Sequence, residues 1–147
     1  MNEPSRNVVV SIPEGANAEQ AVDHVIRIYR ERPMAIYLLC VRQPLPQYVA
    51  RFISKSERDA HHQESGMLAL RQARERLDAC GIPHRDFVRV GQKAQVTVEF
   101  ARENHCGQII VAKPAGGGLS GLVLGSIGGQ MRRLIGAGEP YVISEVF

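Results

Sequence analysis

Ala35 to Val41 reads AIYLLCV, a stretch without a charged side chain. Successive side chains of a strand point to opposite faces, so a strand that is apolar throughout must be covered on both sides. Sheets covered on both sides are the parallel sheets of α/β domains, whose crossover helices do the covering. The N-terminal flank agrees. Ala18, Ala21, Val22, Val25, Ile26 and Tyr29 follow the i, i+3, i+4, i+7 spacing of a helical apolar face, which predicts a helix from Ala18 to Arg32 ended by Pro33. Before it, Val8 to Ile12 (VVVSI) is short and β-branched, and Pro13 removes the next backbone donor, so a first strand stops there.

On the C-terminal side Pro44 and Pro46 open a loop. A long polar helix is expected from Ser56 to Cys80, with Ser56 and Asp59 in the S-x-x-D pattern of a capping box and Gly81 as its stop. Arg85 to Val90 reads as a third strand. Gln92 to His105 reads two ways: Val96, Val98 and Phe100 alternate as in a strand, whereas Ala94, Thr97, Val98 and Ala101 keep helical spacing. Its length exceeds a usual strand, and the fourth strand, Gln108 to Ala112 (QIIVA), needs a crossover before it, so the reading adopted is helix. Gly116 to Ser126 is a glycine-rich loop. Ile127, Met131, Leu134 and Ile135 make the apolar stripe of a last helix, and Tyr141 to Val146 is a fifth strand. Right-handed crossovers then give a three-layer α/β sandwich over residues 1–147: a five-stranded, mainly parallel, Rossmann-like sheet with ligand sites at the carboxyl ends of its strands.

Composition is consistent with one such domain. With 147 residues, 44% of them hydrophobic, the chain can bury roughly 70% of its unfolded surface without a staple. Cys40, Cys80 and Cys106 are odd in number and form no CxxC pair, as expected of reduced thiols in a cytosolic protein. The opening MNEPSRN lacks an apolar core, and no run approaches the roughly 18 apolar residues of a membrane span, so a soluble, cytoplasmic protein is expected. The net charge of +3 is spread among acids, and aromatics are only 5% of the chain, which argues against a nucleic-acid partner.

Chemistry concentrates in Ala112 to Ser126, AKPAGGGLSGLVLGS. Its glycines permit a close backbone approach to a ligand, and Ser126 opens a helix whose free N–H groups attract anions. It is not a Walker A loop, because no lysine precedes Ser126. On its residues alone the stretch reads equally as a phosphate cradle and as a surface loop before a helix cap. His61, His62 and Glu64 share a helix but lack HExxH and a third ligand, so no metal site is expected. No nucleophile with a positioned base is visible, so no catalytic residue is assigned. The pair Arg132-Arg133 suits the C-terminal end of the last helix.

The stretch GGLSGLVLGS, Gly117 to Ser126, resembles the nucleotide loop of the universal stress protein family. The strand and helix alternation, the NAEQAV entry into the first helix, the Val90-Gly91 exit and the IIVA strand fall where that family has them. The resemblance implies an adenine nucleotide alpha hydrolase-like fold in a small cytoplasmic homodimer associated with stress survival, some members binding ATP and some not. The family's pattern G-x2-G-x9-G-[ST] falls on Ala112, Ala115, Gly125 and Ser126, so its first two glycines are alanines here. The family's aspartate after strand one falls on Pro13, with Glu14 shifted by one.

Candidate nucleotide-binding residues by this resemblance are Ile12, Pro13, Val41, Ala112, Lys113, Ala115, Gly116, Gly125, Ser126 and Ile127. Val41 matches the adenine-lining position and is equally a core residue; Lys113 either reaches an anion or stays solvated. The ligand implied is ATP or AMP, with magnesium only alongside ATP, at a weakened or lost site. A missing charge-assisted hydrogen bond costs about 1.5–3 kcal/mol and an alanine forced left-handed about 1–2 more, roughly two to three powers of ten in affinity. Tyr141 to Phe147 alternates at the sheet edge, where a bare strand is a pairing hazard unless used. Tyr141, Val142, Ile143, Ser144 and Val146 are therefore expected to pair with a twin across a two-fold axis, a covering helix or loop being the alternative. The function expected is a stress-response binding or regulatory protein; the alternatives are a nucleotide sensor and a slow ATP hydrolase.

Overall fold

Four consecutive buried residues, Val8–Ser11, form strand β1 at the middle of the sheet, where neighbours on both sides satisfy its backbone. The computed structural model describes residues 7–112, 131 and 142–146. Around β1 run β2 (Ile36–Arg42), β3 (Arg85–Val90), β4 (Gln108–Ala112) and β5 (Val142–Val146), in the order β3-β2-β1-β4-β5 with every pair parallel. The helices are α1 (Glu19–Glu31), α2 (Gln47–Ala50), α3 (Lys55–Ala79) and α4 (Lys93–Glu103).

The two faces of the sheet bury separate layers, as the AIYLLCV run requires. Val8, Val10, Ile36, Leu38 and Ile110 pack with Val22 and Val25 of α1 and Leu70 and Leu77 of α3. Val9, Leu39, Ile109 and Val111 pack with Val98 and Phe100 of α4 and with Met131. Residues 92–105 are mainly helical, as read: Gln92 caps α4 by accepting the Gln95 N–H at 2.7 Å.

Of the boundaries that differ from the sequence reading, three bear on the site. β1 ends at Ser11, one residue before Ile12. β2 extends through Arg42, which is in register with Val90. α3 begins at Lys55 because its capping box is Ser54 with Glu57, two residues ahead of the expected Ser56 and Asp59. The Ser54 hydroxyl accepts the Glu57 N–H at 3.1 Å and donates to the Glu57 carboxylate at 2.9 Å. Within the segment read as loop, Pro46 starts the short α2, its carbonyl accepting the N–H groups of Val49 and Ala50.

α3 lies close on the sheet through a stripe of His62, Gly66, Leu70, Ala73 and Leu77. A Cβ at Gly66 would stand 2.5 Å from both γ-carbons of Val88 on β3, so only glycine permits this approach. No helix among the described residues is long and apolar enough to cross a membrane. The glycine-rich loop and nearly all of the expected last helix lie outside the described residues.

Candidate functional site

From β1 the chain winds outward to β2 and β3, then returns to the other side of β1 as β4 and β5. The winding direction therefore reverses between β1 and β4, and the carboxyl ends of these two strands flank the crevice where open α/β sheets bind ligands. Ile12 follows β1, its N–H donating to the Leu39 carbonyl at 2.9 Å. Pro13 is buried behind it, and its carbonyl accepts the Ala16 N–H at 3.2 Å. Gly15, at φ +72°, completes that turn in a conformation that strains other residues. Asn17 then accepts the Glu19 N–H at 3.0 Å and leads into α1.

Ala112 ends β4 across the crevice, but the strain expected of an alanine there is not present. Among the described non-glycine residues only His105 has a positive φ; Ala112 is strand, and its methyl is fully buried in the α1/α3 layer. Ile12 joins it there, whereas Val41 points into the opposite, α4 layer. These three candidates thus meet at one end of the sheet as core side chains on two faces. Lys113, Ala115, Gly116, Gly125, Ser126 and Ile127 lie outside the described residues, as does Tyr141. Val142, Ile143, Ser144 and Val146 belong to β5, which is the edge strand expected and pairs in parallel with β4.

The conspicuous chemistry at this end was not expected from sequence. Arg42, at the last position of β2, has a side chain only 11% exposed and forms an ion pair with Glu14. Its Nε donates to His62 Nδ1 at 3.1 Å, and its Nη2 lies 3.4 Å from His61 Nε2. Three separate segments therefore converge: the β1–α1 turn, the end of β2 and the second turn of α3. A signal was available, because His62 heads the apolar stripe of α3 four residues before Gly66, and Arg42 directly follows the apolar run of β2. An inward histidine facing a strand-end arginine follows from those two positions.

A model of the universal stress protein family matches residues 4–134. The chain belongs to that family. No curated protein matches it. Among solved structures, a universal stress protein in complex with cAMP superposes with a TM-score of 0.67 at 21% identity, covering 99% of both chains. The universal stress protein from Archaeoglobus fulgidus in complex with dAMP gives 0.60 at 16%, covering 99% of this chain and 100% of its own. A universal stress protein family member from Arabidopsis thaliana with AMP bound gives 0.56 at 13%, covering 95% and 90%.

In this universal stress protein domain the two buried thiols are poor nucleophiles. Burial pushes Cys106 up to about 12 and raises Cys40 as well, with Lys93 pulling Cys40 weakly the other way, so both stay protonated at neutral pH. Burial first, then the Arg42 charge, lowers the proton affinity of His62, which leaves its ring neutral and able to accept from the guanidinium. Among the described residues no group of three or more His, Cys, Asp or Glu side chains is placed to hold a metal.

Proposed function

We propose that this universal stress protein is a non-catalytic stress-response binding protein of the cytoplasm whose adenine-nucleotide site is weakened on its sugar and base side. One observation carries this reading. Pro13, two residues beyond β1 and in the place of the family's aspartate, is buried, and the adjacent carboxylate, Glu14, is engaged by Arg42. A ribose hydroxyl or an adenine amino group approaching that wall meets an acid already committed to a guanidinium. Ala112 adds no backbone strain, so the deficit reduces to about one charge-assisted hydrogen bond, 1.5–3 kcal/mol, plus whatever Ala115 contributes.

A second reading, nucleotide sensing at ordinary affinity, is favoured by the three solved relatives whose structures are described with cAMP, dAMP and AMP. Isothermal titration of ATP with magnesium, and of AMP alone, separates the two. Weak or undetectable heat is expected from the native chain, and Pro13→Asp is expected to tighten binding by about ten- to a hundredfold. Purified protein that retains bound ATP overturns the weakened-site reading.

The same proposal includes a homodimer paired through β5, whose outer edge faces away from β4. Val142→Lys is expected to shift the chain from dimer to monomer in sedimentation velocity; a native chain that is already monomeric at micromolar concentration refutes the pairing.

A further inference from the structure

A guanidinium has donors and no acceptor, so each group that holds Arg42 must offer a lone pair. Glu14 offers a carboxylate oxygen, His62 its Nδ1 and His61 its Nε2. An imidazole offers a lone pair only while neutral; once protonated, both ring nitrogens are donors and the ring is a cation. We propose that Arg42, held by Glu14 on one side and by His61 and His62 on the other, is an acid-sensitive latch fastening the β1–α1 turn to α3.

The geometry makes the latch two-sided. Arg42 sits on a strand and cannot travel far, its carbonyl accepting the Gly91 N–H at 2.8 Å. Glu14 reaches it from the turn at Gly15, where the backbone is free of other regular structure. His62 is 6% exposed and rides on the sheet-facing stripe of α3, so it can withdraw only if the helix end shifts. Protonating His62 therefore sets a second cation against the largely enclosed Arg42, with Arg58 and the exposed His61 nearby and one carboxylate, Glu14, on the far side. The contact that yields is the one between Arg42 and the imidazoles, and the segment then keeps to α3 the weaker bond from the Ala18 N–H to the Gln72 side chain at 3.4 Å.

Charges facing His62 from each element are accounted for. α3 itself supplies Arg58 and His61, which oppose protonation, and Asp59, which favours it. β2 supplies Arg42 and, through it, the turn supplies Glu14. β3 meets α3 one turn further on with Val88 against Gly66, and further down with Asp86 paired to Arg74. α1 meets the far half of α3 through Asp23 and Arg76. Cations thus dominate around the ring, and the latch is closed at neutral pH and opens on acidification below the ordinary imidazole value of 6.5.

The latch is tested on the ligand-free full chain, so its outcome is independent of nucleotide binding. Amide hydrogen exchange is followed at Ala16 and Ala18, whose N–H groups bond to the Pro13 carbonyl and to the Gln72 side chain. Protection, corrected for intrinsic exchange, is expected to fall about tenfold or more between about pH 8 and about pH 5 in the native chain. In His61→Asn/His62→Asn, whose side-chain oxygens still accept but do not titrate, it is expected to stay level, although His24, His84 and His105 remain. In the native chain the Arg42 Nε–H resonance should also broaden with the midpoint of the His62 ring titration. Level protection in the native chain, or an equal fall in the double variant, overturns the latch. Should the double variant not fold, mismatched midpoints for Arg42 and His62 overturn it on their own.

Discussion

The two ends of α3 each meet the sheet through a histidine with little side-chain exposure, and they do so with opposite chemistry. At the N-terminal end His62 accepts from Arg42, with Arg58 and His61 close by, a setting rich in positive charge. Beyond the C-terminal end His84, its side chain 8% exposed, lies between Asp78 of α3 at 2.8 Å and Asp86 of β3 at 2.7 Å, with Arg74 on the other Asp86 oxygen at 2.9 Å. The second cluster joins imidazole nitrogens and a guanidinium to carboxylates and ties the last helical turn to an edge strand. The first depends on an imidazole keeping its lone pair. One residue type therefore faces carboxylates at one end and accepts from a guanidinium at the other, and the accepting one lies at the carboxyl end of the strands.

The sharpest way to break this contrast is His84→Ala. It removes both contacts to the carboxylates and leaves Asp86, which is 15% exposed, with Arg74 alone. The expected loss is about 2–3 kcal/mol, read as a lower urea midpoint at unchanged slope, whereas His62→Asn, which keeps an acceptor for Arg42, should lose less than about 1 kcal/mol. Equal losses would show that both ends are structural ties of the same kind.

Gly66→Ala acts between the two clusters. Overpacking against Val88 costs about 1–3 kcal/mol, and the better helix propensity of alanine returns about 1, for a net loss of up to about 2 kcal/mol in the same measurement. An increase in stability would mean that α3 can lift from β3, which would uncouple its two ends.

The layered fold was legible because its signals are periodic and local. The apolar run ending at Val41, the helical spacing from Ala18 to Tyr29 and the crossover before Gln108 each decide one element independently of the rest. The start of α3 was misplaced by S-x-x-[DE] patterns two residues apart, Ser54 with Glu57 and Ser56 with Asp59; geometry, not pattern, selects between them. The site was less legible. Pro13, Ala112 and Val41 were named as candidates by position, yet whether Ala112 is strained depends on a backbone angle that sequence does not state. The Glu14, Arg42, His61 and His62 cluster joins residues up to 48 positions apart, and only the strand register and the stripe of α3 bring them together.

The smallest effect expected is the most specific to the cationic end. His62 resists protonation in the folded chain, through burial and then through Arg42, while in the unfolded chain it titrates near 6.5. The unfolded state therefore takes up a proton that the native state refuses as pH falls below 6.5, and stability declines until the native ring titrates in turn. Above that window the contribution is fully present. Urea unfolding at a series of pH values should show this decline in the native chain and a shallower one in His62→Asn, and the difference between the two curves isolates the ring from every other titrating group. If the curves coincide, the ring takes up its proton as readily in the fold as outside it, and the positive setting drawn around His62 is wrong.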